Sequence, residues 1–183
     1  MTGLPEAQLS HFGLYAFDLD KMVDFYTRTL GLVVTDRGKS GRGMDIVFLS
    51  RNPTEHHQVA IAAGRPQDAV HSTINQLSFR VNSLEDLRRY YDWLVHAKVD
   101  KLEPRDHGNA WSVYFHDPEG NRVEVYCNSP WYVSQPFGEP LDLTAPAEAI
   151  MAKTQEMVKQ DPTWQPIEEW SAGMRKRIAA VGA

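Results

Sequence analysis

The chain has 183 residues and a formal net charge of −5, with both signs of charge mixed along it. That balance argues against a nucleic-acid-binding surface, and the single cysteine, Cys127, excludes an intrachain disulfide framework and fits a reducing compartment. No apolar run is long enough to span a bilayer, and the first residues lack the basic start and apolar core of a signal peptide. We therefore expect a cytoplasmic protein that binds neither nucleic acid nor membrane.

The first third of the chain predicts four strands around one helix. Alternating apolar residues predict strands over 9–16, 32–35, 45–49 and 58–63. Between the first two strands, Asp18 is placed to cap a helix and Gly31 to end it. The glycine-rich segment 38–43 lacks the spacing of a phosphate-binding loop, so we interpret it as a connection.

The same pattern recurs after residues 64–68 at a constant offset. Gln76 follows His11 by 65 residues (76 − 11), and Val99 follows Val34 by 65 (99 − 34). Ser83 stands where Asp18 stood as a helix cap. The repeat predicts an α+β fold of two βαβββ modules, residues 8–64 and 74–128, within one domain of residues 8–128. Side by side, two such modules can curl into an open barrel with helices outside and a cleft inside.

Residues 111–126 predict a β-hairpin around the turn Asp117-Pro118-Glu119-Gly120-Asn121. Because side chains on a strand alternate between faces, Tyr114 and Glu124 fall on the polar face of this hairpin. His11 and Gln76 occupy equivalent positions of the two modules, on the face turned away from the helices. We therefore expect His11, Gln76 and Glu124 to converge in one cleft and to bind a metal ion.

These features together resemble the vicinal oxygen chelate superfamily, which includes glyoxalase I, bleomycin-resistance proteins and the type I extradiol catechol dioxygenases. The resemblance covers Leu9 to about Asn128 and rests on the doubled module, the Asp-Pro-Glu-Gly-Asn turn and the cleft positions. Three further features resemble the extradiol dioxygenases. They are the pair His56-His57 before a strand, the ten-residue spacing from Tyr114 to Glu124, and the segment Asp106-His107-Gly108.

The resemblance implies cleavage of a catecholic ring by dioxygen, as in aromatic compound catabolism. It implies iron(II) held by His11, Gln76 and Glu124, with manganese, zinc and nickel as alternative metals. His57 is the implied acid–base residue, Tyr114 the hydrogen-bond partner of a substrate oxygen, and His107 a residue lining the substrate pocket. The partners implied are a small aromatic diol and O2, and a homo-oligomer is expected because superfamily members often dimerise.

One position departs from the dioxygenase pattern, because those enzymes place a second histidine where this chain has Gln76. Two other functions therefore stay open, a metal-dependent lyase or isomerase of the glyoxalase type and a metal-free binding protein of the bleomycin-resistance type. Glyoxalase I carries a second acidic ligand on the last strand of its other module. The corresponding run here, residues 58–62, contains no carboxylate, which argues against that chemistry.

Residues 129–183 predict a C-terminal extended segment and two helices, over 144–160 and 164–180. The second helix carries an apolar stripe at helical spacing, formed by Ile167, Trp170, Met174 and Ile178. Such a face most often docks on the chain's own domain, with a dimer contact or a cover over the cleft as alternatives. Trp131 and Tyr132, just after the hairpin, are placed to wall the substrate pocket.

Overall fold

The computed structural model describes residues 8–69 and 72–181, which form two compact units. The first unit comprises the described residues up to 75 together with the hairpin turn 116–122. The second unit comprises residues 76–115 and 123–181. The N-terminal residues in which we find no signal peptide lie, as far as residue 7, outside the described part.

The first unit is built on one βαβββ module with a four-stranded sheet. Its elements are β1 (Phe12–Ala16), α1 (Leu19–Leu30), β2 (Val33–Lys39), β3 (Asp45–Ser50) and β4 (Val59–Ala63). The sheet order is β1-β4-β3-β2, with β1 and β4 parallel and the other pairs antiparallel. Alternate residues of β1 and β4, such as Leu14 and Ile61, are buried, which gives the sheet one apolar face.

Local signals fix the ends of α1 where the sequence places them. The Asp18 side chain accepts a hydrogen bond from the Lys21 backbone N–H at 3.0 Å and so satisfies an orphan donor of the first turn. Gly31 ends the helix in the left-handed region, with φ +65°. Met22 and Tyr26 are completely buried on the side of the helix that packs into the core.

The hairpin turn belongs to the first unit through Glu119. Its Oε1 accepts the backbone N–H groups of Phe17 at 2.7 Å and Asp18 at 2.9 Å, just before α1. Oε2 pairs with the Arg65 guanidinium at 3.2 Å, and both side chains are largely buried. The acidic residue of the Asp-Pro-Glu-Gly-Asn turn therefore anchors the start of α1.

The second unit repeats the module and adds the C-terminal segment. The module comprises β5 (Leu77–Arg80), α2 (Leu84–His96), β6 (Glu103–Asp106), β7 (Ala110–His116) and β8 (Arg122–Asn128). The sheet order is β10-β6-β7-β8-β5, where β10 is Glu139–Pro140 from the C-terminal segment, and β5 and β8 are parallel, as β1 and β4 are. The α+β fold of two βαβββ modules with a C-terminal helical extension is thus confirmed.

The constant offset of the repeat is confirmed at the helix starts. The second helix starts at Leu84 and the first at Leu19, a difference of 65 (84 − 19). Ser83 caps α2 as Asp18 caps α1, accepting from the Asp86 backbone N–H at 3.1 Å. The matching caps show why both copies place a helix at the same point of the module.

The C-terminal extension contains two helices, slightly shorter at their ends than the sequence predicts. Its elements after Asn128 are β9 (Trp131–Tyr132), β10, α3 (Ala147–Val158), β11 (Gln165–Pro166) and α4 (Ile167–Val181). Pro146 occupies the cap position of α3, which places the helix start at residue 147.

The extension packs within the second unit, as expected for docking on the chain's own domain. Ile150, Thr154 and Val158 form the buried face of α3. On α4, Trp170 stacks on Tyr132 with ring centroids 5.3 Å apart, whereas Ile178 at the far end of the predicted stripe is 64% exposed. The stripe is therefore a packing face only over its first turns.

The connection predicted over 38–43 is wrong at its start. Strand β2 continues through Gly38 and Lys39, which pair with Ile46 and Asp45 of β3. Lys39 Nζ lies 2.8 Å from an Asp45 carboxylate oxygen, an ion pair across the strand pair. Cross-strand pairing extends the strand into residues whose composition is typical of a loop.

No helix in the described part of the chain is long and apolar enough to cross a membrane.

Candidate functional site

The register of the β7–β8 hairpin is set by hydrogen bonds at both of its ends. The Asp117 N–H donates to the Asn121 carbonyl, and the Ser129 N–H donates to the Asn109 carbonyl, each at 3.0 Å. Residues whose numbers add to 238 are therefore opposite one another, which places Tyr114 opposite Glu124.

The turn is rigid because Asp117 organises it from within. Its Oδ1 accepts the backbone N–H groups of Glu119 and Asn121, and its Oδ2 accepts the side-chain amide of Asn121 at 2.7 Å. Tyr26 of α1 donates its hydroxyl to the same Oδ2 at 3.1 Å, and burial raises the pKa of Tyr26, so the phenol stays protonated as a donor. Gly120 adopts φ +80°, a conformation that suits glycine.

Glu124 is a buried carboxylate, only 6% exposed. Its Oε1 accepts the Ser112 hydroxyl at 2.7 Å, and its Oε2 accepts the Ser78 hydroxyl at 2.5 Å and the Gln76 amide at 3.1 Å. The parallel pairing of β5 with β8 sets Ser78 directly beside Glu124. The sheet therefore surrounds this carboxylate with three neutral donors.

The charge of Glu124 has no positively charged partner among residues 8–69 and 72–181. Buried charges in proteins are usually paired with an opposite charge or bound to a metal ion. The oxygen and nitrogen ends of an amide are nearly equal in size, so Gln76 can present Oε1 where its Nε2 now contacts Glu124. Glu124 and Gln76 therefore fit a divalent cation as two neighbouring oxygen ligands.

A complete ligand set does not arise from acidic, histidine and cysteine residues alone. Within the described ranges, no three His, Cys, Asp or Glu side chains are arranged to hold a metal ion. His11, the third predicted ligand, belongs to the first unit, whereas Gln76 and Glu124 belong to the second. The set of His11, Gln76 and Glu124 therefore stays a prediction.

Tyr114 and His107 form a hydrogen-bonded pair in the second unit. His107 Nε2 lies 3.0 Å from the Tyr114 hydroxyl oxygen, with the two rings edge to face. His107 Nδ1 lies 2.7 Å from the Phe137 carbonyl oxygen. Tyr114 is buried and His107 half-buried. Both residues were predicted to face the substrate, and they are in direct contact.

The first unit brings its own histidines together at the open ends of β1 and β4. The His11 and His57 rings are 4.2 Å apart, and the His57 ring lies 4.9 Å from the ring of Phe48. His56 and His57 approach through their Nδ1 atoms at 2.9 Å, and His56 Nε2 lies 2.8 Å from an Asp36 carboxylate oxygen.

The surroundings of His57 disfavour its charged form. Partial desolvation lowers the pKa of His57, and the neighbouring His11 and His56 lower it further. His57 is therefore held as a neutral imidazole over more of the pH range than a free histidine, which is the state that accepts a proton.

The sequence analysis missed the groups that hold these side chains. Ser78 and Ser112 share the faces of Gln76 and Tyr114 by simple alternation, so the signal was present without the strand register that brings both to Glu124. Phe137 acts through a backbone carbonyl, for which no residue type gives a signal.

The duplicated βαβββ module and the polar sheet face around Glu124 define the class of protein. A family model for the Glyoxalase/Bleomycin resistance protein/Dioxygenase superfamily matches residues 8–125, and the chain belongs to that family.

Particular relatives give a finer comparison. The chain is 26% identical over 171 residues to biphenyl-2,3-diol 1,2-dioxygenase 2 of Rhodococcus globerulus, covering 84% of this chain and 86% of that protein. It is 25% identical over 122 residues to metallothiol transferase FosB of Lysinibacillus sphaericus, covering 64% of this chain and 80% of that protein.

A solved glyoxylase/bleomycin resistance protein/dioxygenase domain from Frankia sp. EAN1pec has the same fold. Its TM-score is 0.57 at 21% identity, over 68% of this chain and all of that one.

Proposed function

We propose that this protein is a metal-dependent extradiol-type dioxygenase that cleaves a catecholic aromatic ring with O2. In this proposal His11, Gln76 and Glu124 hold the metal, with iron(II) preferred over manganese, zinc or nickel. His57, Tyr114 and His107 act on the substrate. Bound iron(II) would supply the redox chemistry that a reaction with dioxygen requires.

The observation that carries the proposal is the buried, uncompensated carboxylate of Glu124 directly opposite Tyr114. The charge of Glu124 favours a cation beside it, and the phenol two atoms' width of sheet away suits a hydroxylated substrate. A metal-free binding protein has no need of a buried carboxylate without a positively charged partner.

Tyr114 and His107 can stabilise a developing charge on a substrate oxygen. While Tyr114 donates its proton to His107 Nε2, its own oxygen can accept a hydrogen bond from a substrate hydroxyl. As that hydroxyl loses its proton, the Tyr114 hydroxyl can turn to donate to the resulting oxygen anion.

His57 suits the role of proton acceptor and donor. Its lowered pKa keeps the imidazole neutral near pH 7, so that it can take a proton from the diol and return it later. The neighbouring Phe48 ring limits the access of water to one side of His57.

The extent of the similarity favours a dioxygenase over a fosfomycin-type transferase. A match over 84% of the chain must include part of residues 129–183, whereas one over 64% spans no more than the two modules. The extension is thus shared with a protein named for cleavage of a biphenyl diol. A biaryl diol is therefore the first substrate to test.

The position opposite Phe48 argues against a glyoxalase-type site. Ala60 pairs with Gly13 in the first module as Glu124 pairs with Ser78 in the second, so the first module offers no carboxylate there. A second acidic ligand of the kind glyoxalase I uses is therefore missing at that equivalent strand position.

The test is oxygen uptake by protein loaded anaerobically with iron(II), using 2,3-dihydroxybiphenyl, catechol and a monophenol. We expect uptake with the diols, together with a yellow ring-cleavage product, and none with the monophenol. Uptake equally absent with every diol, in protein shown to contain iron, would contradict the proposal. Oxygen-independent turnover with zinc or nickel would instead favour a lyase or isomerase.

A further inference from the structure

The ring of His107 is held at both nitrogens. A carbonyl oxygen can only accept a hydrogen bond, so the 2.7 Å contact with the Phe137 carbonyl requires a proton on Nδ1. In the neutral ring Nε2 then has no proton, and it accepts the hydroxyl of Tyr114 at 3.0 Å. The direction of the Tyr114 hydroxyl therefore depends on a backbone group of the C-terminal extension.

Gln135 holds that backbone group in place. Its Oε1 accepts the Phe137 backbone N–H at 3.0 Å, and its Nε2 donates to the His107 carbonyl oxygen at 2.9 Å. One side chain thus bridges Phe137 and His107, whose ring closes the hydrogen-bonded circle through the Phe137 carbonyl. Gln135 itself is exposed, so this bridge is not needed to fill a core.

The residues on either side of His107 are also held by the extension. The Asp106 carboxylate accepts the Gly108 backbone N–H and the hydroxyl of Thr154, which lies on α3. A Cβ atom on Gly108 would lie 2.6 Å from a methyl carbon of Val133 and 3.0 Å from one of Val158. The loop and the extension are therefore in close contact, and His107 has little freedom to reorient.

We propose that Gln135 is a positioning residue that keeps His107 in the Nδ1–H tautomer and so directs the Tyr114 hydroxyl. The consequence for turnover rests on the proposed function, whereas the tautomer itself does not. The C-terminal extension is then part of the apparatus that orients the substrate-facing pair, beyond its role in packing.

The direct test is the protonation pattern of the His107 ring, measured by nitrogen NMR on the full-length protein with labelled histidine. The seven histidines are told apart with a His107→Gln variant. We expect a protonated Nδ1 and an unprotonated Nε2 in the wild type, and a mixture of the two tautomers in Gln135→Ala. Gln155→Ala, which alters an exposed glutamine on α3, is the matched control and must leave the pattern unchanged.

Two results would overturn the inference. One is a wild-type His107 protonated on Nε2 alone, and the other is a wild-type pattern that persists in Gln135→Ala. Gln135→Glu keeps the acceptor for the Phe137 N–H and loses only the donor to His107, so it must retain most of the Nδ1–H tautomer. A loss in Gln135→Glu as complete as in Gln135→Ala would contradict the role of Phe137.

Kinetics give a second readout that a merely structural role would not produce. With a diol substrate, Gln135→Ala should lower kcat about tenfold, the scale of effects from groups that orient a functional side chain, with KM little changed. Equal kcat in Gln135→Ala and wild type would count against the inference. Absence of ring cleavage in the wild type would instead defeat the proposed function, and the NMR measurement would still decide the tautomer.

Discussion

The two modules share a topology but carry different chemistry on equivalent strands. In each, the first strand pairs in parallel with the fourth, and a polar residue caps the helix at the same offset. Yet the pair Ser78 and Glu124 of the second module corresponds to Gly13 and Ala60 in the first.

A third equivalent position shows the same contrast. Phe48 lies opposite Ala60 as Tyr114 lies opposite Glu124, so an apolar ring replaces a phenol. The first module contributes histidines from its strand ends instead. Few substitutions on one sheet face therefore separate a scaffold from a polar site, while caps and apolar alternation keep both modules folded alike.

The largest expected effect on turnover comes from the histidines of the first module. His57→Ala should lower kcat by about 10²–10⁴-fold, the usual contribution of a general acid–base group, while the metal is still bound. Steady-state kinetics with metal analysis of the same sample measures both. His96→Ala, at the exposed end of α2, is the control. Unchanged turnover in iron-loaded His57→Ala would remove the acid–base assignment.

A smaller effect should follow from loosening the acidic site of the second module. Ser112→Ala removes the hydroxyl that donates to Glu124 Oε1, and we expect metal affinity to fall about 10–100-fold, as for other partners that orient a ligand. Competition with a chelator measures the change. The matched control is Ser50→Ala, a buried serine of β3 that donates to the Asn52 carbonyl. If both variants bound metal equally well, Ser112 would have no such role.

The smallest effect concerns stability and has no counterpart in the first module. Burial raises the pKa of Asp106, so the folded state holds its proton more tightly than the unfolded state does. Its contribution is full below the ordinary pKa of 3.8 and is lost as pH rises through the raised value. Asp106→Asn should therefore lose less stability than wild type between pH 3.8 and neutrality, measured by urea denaturation.

Asp142 in the extension supplies a control of opposite sign. Hydrogen bonds from Thr144 lower the pKa of this exposed carboxyl, so its contribution is present above the ordinary pKa and is lost on acidification. Asp142→Asn should therefore not share the behaviour of Asp106→Asn. Parallel pH profiles in the two variants would contradict the account of the buried Asp106.

The fold was predictable because local signals and the repeat agree. Asp18, Gly31 and Ser83 act at the positions where their residue types favour helix ends. Strand β2 runs past its predicted end because pairing with β3, rather than local propensity, decides where it stops.

The site was predictable only as far as alternation reaches. Alternation gives the face of Tyr114 and Glu124, but the donors of Ser78 and Ser112 depend on how neighbouring strands align. The bridge from Gln135 to His107 depends on the path of the extension over the second module, 28 residues further along the chain. Such contacts are set by tertiary packing and leave no periodic trace in the sequence.

The central claim is that the carboxylate present only in the second module anchors a metal. It is tested most directly by anaerobic titration of iron(II) into wild type, Glu124→Ala and the control Glu139→Ala, whose side chain is exposed on β10. We predict that wild type and Glu139→Ala bind iron alike, whereas Glu124→Ala loses more than the roughly 10–100-fold that orienting groups contribute. Iron binding by Glu124→Ala as tight as that of the wild type would contradict the account.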